Sequence, residues 1–136
     1  MTGRLQRILL VEDDPDIAIL TQMALGELGG FDVVHCDTGG AALTRVPLEQ
    51  PDLLILDFTL PDMTGAEVLT ELRSRQATAA IPAIFMTASV MPEHVERLKQ
   101  LGALDVFAKP FDPLTLPDRV RSVWTAARDD KGGEAQ

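Results

Sequence analysis

The run Leu53-Leu54-Ile55-Leu56, closed by Asp57, constrains this chain more than any other stretch. Four aliphatic residues without polar alternation, bounded by Pro51-Asp52 before and by Pro61 and Gly65 after, read as a short strand buried on both faces, as in a parallel sheet. Parallel neighbours need crossover connections, so such a strand commits the chain to helices above and below it. The strand ends on a carboxylate, and burying that group is costly unless a cation or a metal pairs with it. An Asp at a strand end can equally be an ordinary turn cap, so the weight on Asp57 depends on what else reaches the same edge of the sheet.

Four further apolar runs flank it. Arg7 to Glu12 reads as a strand entering the acidic loop Glu12-Asp13-Asp14-Pro15, and Asp14 before Pro15 fits a helix N-cap with proline at the first helical position. Ile17, Leu20, Ala24 and Leu28 then recur at helical spacing as the expected inward stripe, up to Gly29-Gly30. Phe31 to Cys36 is a second strand, and Thr38 to about Val46 a short helix expected to stop at Pro47. After Asp57, Thr64-Gly65-Ala66-Glu67 fits a capping box opening a helix with Val68, Leu69 and Leu72 on it. Ile81 to Met86 reads as the fourth strand, with Pro82 tolerable only at its beginning, and ends in Thr87-Ala88-Ser89. Pro92 to Leu101 is a polar helix on which His94 is expected to be solvated, and Gly102 stops it. Leu104 to Ala108 makes the fifth strand, ending at Lys109-Pro110. The last helix starts at Thr115, which keeps Pro117 in its first turn, and its buried stripe is Leu116, Val120, Val123, Trp124 and Ala127. Phe107 and Trp124 are assigned to packing.

Strands alternating with helices five times over imply an α/β, doubly wound five-stranded parallel sheet with helices on both faces. A single domain is expected over residues 1–127, followed by a disordered polar tail over 128–136. In such sheets function collects at the carboxyl ends of the strands, which here read Glu12-Asp13, Asp57, Thr87 and Lys109. Three carboxylates at one edge repel one another and become reasonable with a divalent cation among them. Oxygen ligands without sulfur or imidazole favour magnesium, with manganese as the alternative, and magnesium readily shares a phosphate. Lys109 as a point charge and Thr87 as a hydroxyl donor complete a site complementary to a phosphoryl group in transfer, with Asp57 as the nucleophile. Alone, Thr87 is a turn residue and Lys109 a solvated lysine; their coincidence at four strand ends carries the reading.

Composition narrows the partners. The chain has 136 residues, 46% of them hydrophobic and 24% charged, and a net charge of -9, which argues against the basic patch that nucleic-acid binding relies on. Cys36 is the only cysteine, so an internal disulfide is excluded, no Cys/His zinc pattern appears, and a reducing cytoplasm suits the chain. The apolar stretch Ile8 to Val11 is too short for a signal peptide or a membrane span. The expectation is a cytoplasmic protein without membrane insertion or direct nucleic-acid contact.

Ile8-Leu9-Leu10-Val11-Glu12-Asp13-Asp14, Leu54-Ile55-Leu56-Asp57 with Leu60-Pro61 and Gly65, Met86-Thr87-Ala88, and Lys109-Pro110-Phe111 together resemble the receiver domain of bacterial two-component response regulators, over residues 5 to about 127. The resemblance implies a flavodoxin-like strand order 2-1-3-4-5 and phosphorylation of Asp57 by a phosphohistidine on a histidine kinase or phosphotransfer protein. It implies magnesium held by Glu12, Asp13, Asp57 and the backbone carbonyl of Thr59, directly by Asp13 and through water by Glu12. It further implies that Thr87 moves toward the phosphoryl group, that Ala88 offers its backbone N–H, and that the bond before Pro110 is cis. One position departs from the pattern. Val106 stands where many receivers place Tyr or Phe, and Phe107, one place later, points to the opposite face by strand alternation. Signalling is then expected to depend on backbone shifts from Thr87 to Met91 and on the face made by the fourth helix, fifth strand and last helix.

On this reading the chain catalyses only its own phosphorylation and dephosphorylation, acts through a partner protein, and is a monomer or a phosphorylation-dependent dimer. Met1 and a tail without linker character favour a stand-alone receiver over one excised from a longer kinase or transcription factor. A phosphohydrolase working through an aspartyl phosphate would in many cases carry a second Asp where Thr59 stands. A flavodoxin-like cofactor binder wants a glycine- or hydroxyl-rich loop where Glu12-Asp13-Asp14 stands.

Overall fold

The computed structural model describes the backbone of residues 4–134 and the side chains of residues 4–128. The apolar runs form β1 (Arg7–Val11), β2 (Asp32–Cys36), β3 (Leu53–Asp57), β4 (Ala83–Thr87) and β5 (Asp105–Ala108). All pair in parallel, in the order β2-β1-β3-β4-β5. Between them lie α1 (Pro15–Gln22), α2 (Gly39–Glu49), α3 (Gly65–Arg73), α4 (Pro92–Gln100) and α5 (Leu116–Glu134).

The expected central strand is β3, buried along its whole length. Its side chains alternate between two cores. Leu54 and Leu56 join Phe85 beneath α2, α3 and α4, which contribute Ala42, Val46, Val68, Leu69, Leu72 and Leu98. Leu53 and Ile55 join Ile84, Met86 and Phe107 beneath α1 and α5, with Leu116 and Val120 from α5. Local signals agree with this frame: the Asp14 carboxylate accepts the N–H groups of Asp16 and Ile17, and Thr64 and Glu67 form a reciprocal capping box at α3.

Three helices depart from the sequence expectation, each for a local reason. The first helix passes into a π-helical segment, Met23–Leu28, before ending at Gly29 and Gly30. Its inward residues are Ala18, Thr21, Ala24 and Leu25, while Leu20 and Leu28 are exposed. Small Ala18 and Thr21 let the helix approach the sheet closely, and the wider π register shifts the phase of everything after Met23. The second helix runs past Pro47 to Glu49. Proline supplies no N–H to the Leu43 carbonyl, and Arg75 Nη1 donates to that oxygen instead at 3.3 Å. The last helix stays helical past residue 127 as far as Glu134, through most of the stretch expected to be a disordered tail. The good helix formers Ala126, Ala127 and Arg128 carry it across that boundary. Residues 135 and 136 lie outside the described residues. Within α5, Leu116 and Val120 are buried as expected, and Val123, Trp124 and Ala127 are half-buried.

Burial, not hydrophobicity, decides what each leucine contributes. Leu54 is 0% exposed and Leu48 is 76% exposed. In urea unfolding, Leu54→Ala is expected to lower stability by about 3 kcal/mol, because a fully buried side chain leaves a cavity. Leu48→Ala is expected to stay within about 0.5 kcal/mol of the parent.

Candidate functional site

Sheet register gathers the predicted residues at one edge. Val11 pairs with Leu56, so Glu12 comes level with Asp57; Asp57 pairs with Met86, which puts Thr87 one step on; Thr87 pairs with Ala108, which puts Lys109 one step on. Glu12 is 2% exposed, Asp57 6% and Thr87 5%. Lys109 Nζ sits 3.2 Å from Glu12 Oε1 and 3.2 Å from Asp57 Oδ1.

The backbone fixes each of these groups. The Glu12 N–H donates to the Cys36 carbonyl at 3.0 Å, its second carboxylate oxygen accepts the Asp14 N–H at 3.1 Å, and its carbonyl lies 2.8 Å from His35 Nε2. The Lys109 N–H donates to the Thr87 carbonyl at 2.9 Å, and the Lys109–Pro110 bond is cis as expected. Thr87 Oγ1 accepts the Ser89 N–H at 3.2 Å, which leaves the hydroxyl's own hydrogen to be donated. Ala88 is exposed beside it, and the exposed Thr59 is pinned by an antiparallel bridge to Thr64.

Gly65 explains how α3 can begin beneath the carboxylate. A Cβ there would press on the Asp57 carbonyl oxygen and lie 3.1 Å from Phe85 Cε1. The Gly65 N–H donates to the Phe58 carbonyl at 2.7 Å. The loop between Asp57 and α3 has a second anchor, Asp62, which sequence reasoning missed. Its two carboxylate oxygens accept the N–H groups of Gly39 and Gly40 at 2.9 Å each, and these bonds hold its carboxyl below the usual range. An Asp after a proline reads as turn chemistry, and nothing in the sequence points to acceptor duty across 23 residues.

Charge is unevenly balanced here. Burial, and then the neighbouring Glu12 charge, push the Asp57 carboxyl up from 3.8 to about 6, against the pull of Lys109. Burial lowers Lys109, but Asp57 and Glu12 outweigh it and raise the ammonium above its ordinary value. Carboxylate oxygens of Glu12, Asp13 and Asp57 all lie within 4.8 Å of one another, with Asp13 exposed at the mouth. Three hard oxygen donors beside one lysine leave an excess of negative charge, and this donor set fits a divalent cation of the magnesium type.

His94 departs from expectation. It is half-buried, and its ring meets Phe58 edge-on, with centroids 4.7 Å apart and planes at 88°. The contact is invisible in the sequence because it joins the residue after Asp57 to a helix of otherwise polar character. Val106 and Phe107 do face opposite ways: Val106 packs against the α2–α3–α4 core, whereas Phe107 lies in the other, with the Arg119 guanidinium 4.1 Å above its ring.

Comparison with known proteins agrees with this fold. Residues 8–121 match the family model for the response regulator receiver domain. Over 118 residues the chain is 42% identical to the DNA-binding response regulator MtrA of Mycolicibacterium smegmatis, covering 86% of this chain and 50% of that protein. It is 36% identical over 120 residues to the alkaline phosphatase synthesis transcriptional regulatory protein PhoP of Bacillus subtilis, covering 87% and 48%. The chain thus spans about half the length of the curated relatives it matches. The solved structure of Vibrio cholerae chemotaxis protein CheY4 superposes with a TM-score of 0.81 at 28% identity, covering 88% of this chain and 99% of that one. A CheY-like receiver domain protein from Methanospirillum hungatei gives 0.80 at 28% identity, covering 93% and 99%.

Two outcomes test the geometry. Gly65→Ala is expected to cost about 2–4 kcal/mol in denaturant unfolding, because backbone and a core aromatic ring block the new methyl group. For Asp57 the folded state holds its proton more tightly than the unfolded state, so this group's contribution is fully present below about pH 3.8 and is lost as pH rises through about 6. Without divalent cations, Asp57→Asn is therefore expected to stabilise the protein by about 1–2 kcal/mol at pH 7 and to flatten the decline between those pH values. Thermal unfolding across pH checks both.

Proposed function

Because the chain belongs to the response regulator receiver family, we propose that Asp57 accepts a phosphoryl group from a phosphohistidine of a histidine kinase or histidine phosphotransfer protein. The supporting observation is a buried carboxylate at the end of β3 with an ammonium 3.2 Å away and two further carboxylates beside it. In the step, an Asp57 oxygen attacks phosphorus as the imidazole N–P bond breaks, and the electron pair of that bond stays on the histidine nitrogen. Lys109 pairs with one phosphoryl oxygen, the Thr87 hydroxyl donates to another, and the Ala88 N–H serves the same group. Glu12, Asp13, Asp57 and the Thr59 carbonyl would hold magnesium or manganese, which when bound supplies positive charge to the carboxylates and the phosphoryl oxygens. Water later attacks the phosphorus and returns the free carboxylate, so the chemistry is confined to the protein's own phosphorylation state.

The unit that performs this is residues 1–127. Exposed Ile19, Leu20 and Met23 on the helix leaving the acidic loop offer an apolar surface for a phosphodonor. The response passes through the backbone from Thr87 to Met91 to the α4–β5–α5 face, without an aromatic side chain at position 106, and changes what that face binds. Nucleic-acid contact in the relatives' names belongs to chains about twice as long; a net charge of -9 favours output from this unit through protein contact, as a monomer or a phosphorylation-dependent dimer. Among the described residues no helix is long and apolar enough to cross a membrane, in keeping with work in the cytoplasm.

Intact mass after incubation with a small-molecule phosphodonor and magnesium tests the proposal. A single phosphoryl adduct is expected on the wild type and none on Asp57→Asn or in excess chelator; a stable adduct on the Asn variant, or one indifferent to chelator, contradicts it. Lys109→Ala, phosphorylated to the wild-type degree, is expected to gain at least tenfold less affinity for a partner, and an equal gain would remove Lys109 from the response.

A further inference from the structure

Helix α4 is held to the body of the protein by very little. Leu98 is its one buried residue, His94 and Val95 are half-buried, and no side chain caps its N-terminus. The connection leading into it exposes Val90 and Met91. In its N-terminal half, besides the half-buried Val95, the contact with the body of the protein is the edge-to-face meeting of His94 and Phe58. Phe58 is anything but loose: its N–H donates to the Met86 carbonyl at 3.0 Å, its carbonyl accepts the Gly65 N–H at 2.7 Å, and it directly follows Asp57. One ring thus bridges the strand end that carries the carboxylate and the least anchored helix.

The bridge carries an internal cost. His94 Nε2 is the one buried side-chain nitrogen or oxygen without a hydrogen-bond partner among the described residues. A polar atom desolvated without a partner opposes burial, and an aromatic edge contact favours it, at costs and gains of the same order. Opposed terms of this kind make a second position accessible to the side chain, swung out where the nitrogen regains a partner.

We infer that His94 is a two-position clasp between Asp57 and α4: a change at Asp57 that shifts Phe58 releases the ring and loosens the N-terminal half of the helix. His94 is a positioning residue in this scheme and touches no reacting atom. The inference rests on the proposal that Asp57 is phosphorylated, and it supplies a side-chain route from that residue to α4 in a chain with Val106 on β5.

Amide hydrogen exchange across residues 92–100 tests it on three proteins: wild type, His94→Ala, which removes the ring, and His94→Phe, which keeps a ring and removes the orphan nitrogen. Before phosphorylation the exchange rates are expected to rank Ala fastest, wild type between and Phe slowest, with about tenfold between the extremes. After phosphorylation, at an adduct level matched by intact mass, wild type is expected to speed up at least fivefold toward the Ala variant, which changes little. Equal rates in all three unphosphorylated proteins overturn the clasp. The expected ranking with no acceleration of phosphorylated wild type overturns its coupling to Asp57. Should no adduct form on any protein, the Asp57 proposal fails on its own readout, and the unphosphorylated ranking still decides whether His94 clasps α4.

Discussion

The ammonium of Lys109, 3.2 Å from both Glu12 and Asp57, is the interaction on which the rest of the site depends. One positive charge is set against two buried carboxylates, with a third, Asp13, at the mouth. A stability-driven design would replace one of those acids or bring a second cation. Here the imbalance is retained, and burial together with the neighbouring Glu12 charge holds the Asp57 carboxyl well above its ordinary value. The same imbalance makes the edge receptive to a divalent cation and, with it, to a phosphoryl group.

Such a cluster persists only in a rigid frame. The apolar run of β3, flanked by β1 and β4, places Asp57 without freedom to retreat, and the absent side chain at Gly65 lets α3 start directly beneath it. Asp62 ties the intervening loop to α2, and the Thr59–Thr64 bridge closes it. Burial thins out at α4, where Leu98 is the one buried residue and the His94 ring meets Phe58 edge-on. A stiff site next to a lightly held helix is a suitable arrangement for converting a local charge change into an altered surface.

Much of this was legible in the sequence because the relevant signals are short-range. Five apolar runs with turn residues at their ends specified the strands, and parallel strands in a doubly wound sheet deliver their carboxyl ends to one edge, so Glu12, Asp57, Thr87 and Lys109 converge without any long-range clue. The capping box at Thr64 and the proline-started helix after Asp14 were likewise local. What escaped was set by partners distant in sequence. Arg75 serves the Leu43 carbonyl that Pro47 leaves bare, across 32 residues; Asp62 caps α2 from another loop; and His94 on α4 meets Phe58 in the loop after β3, with α3 and β4 between them in sequence. The phase of α1 was missed for another reason: Ala18 and Thr21 carry little hydrophobic signal, yet their small size sets how closely the helix meets the sheet.

The central claim, that Asp57 is held out of electrostatic balance until a cation arrives, is tested most directly by carbon-13 NMR titration of its side-chain carboxyl with and without magnesium. The account predicts a midpoint near 6 in metal-free buffer that falls when magnesium is added. A midpoint at the ordinary value of about 3.8, unmoved by magnesium, would contradict it.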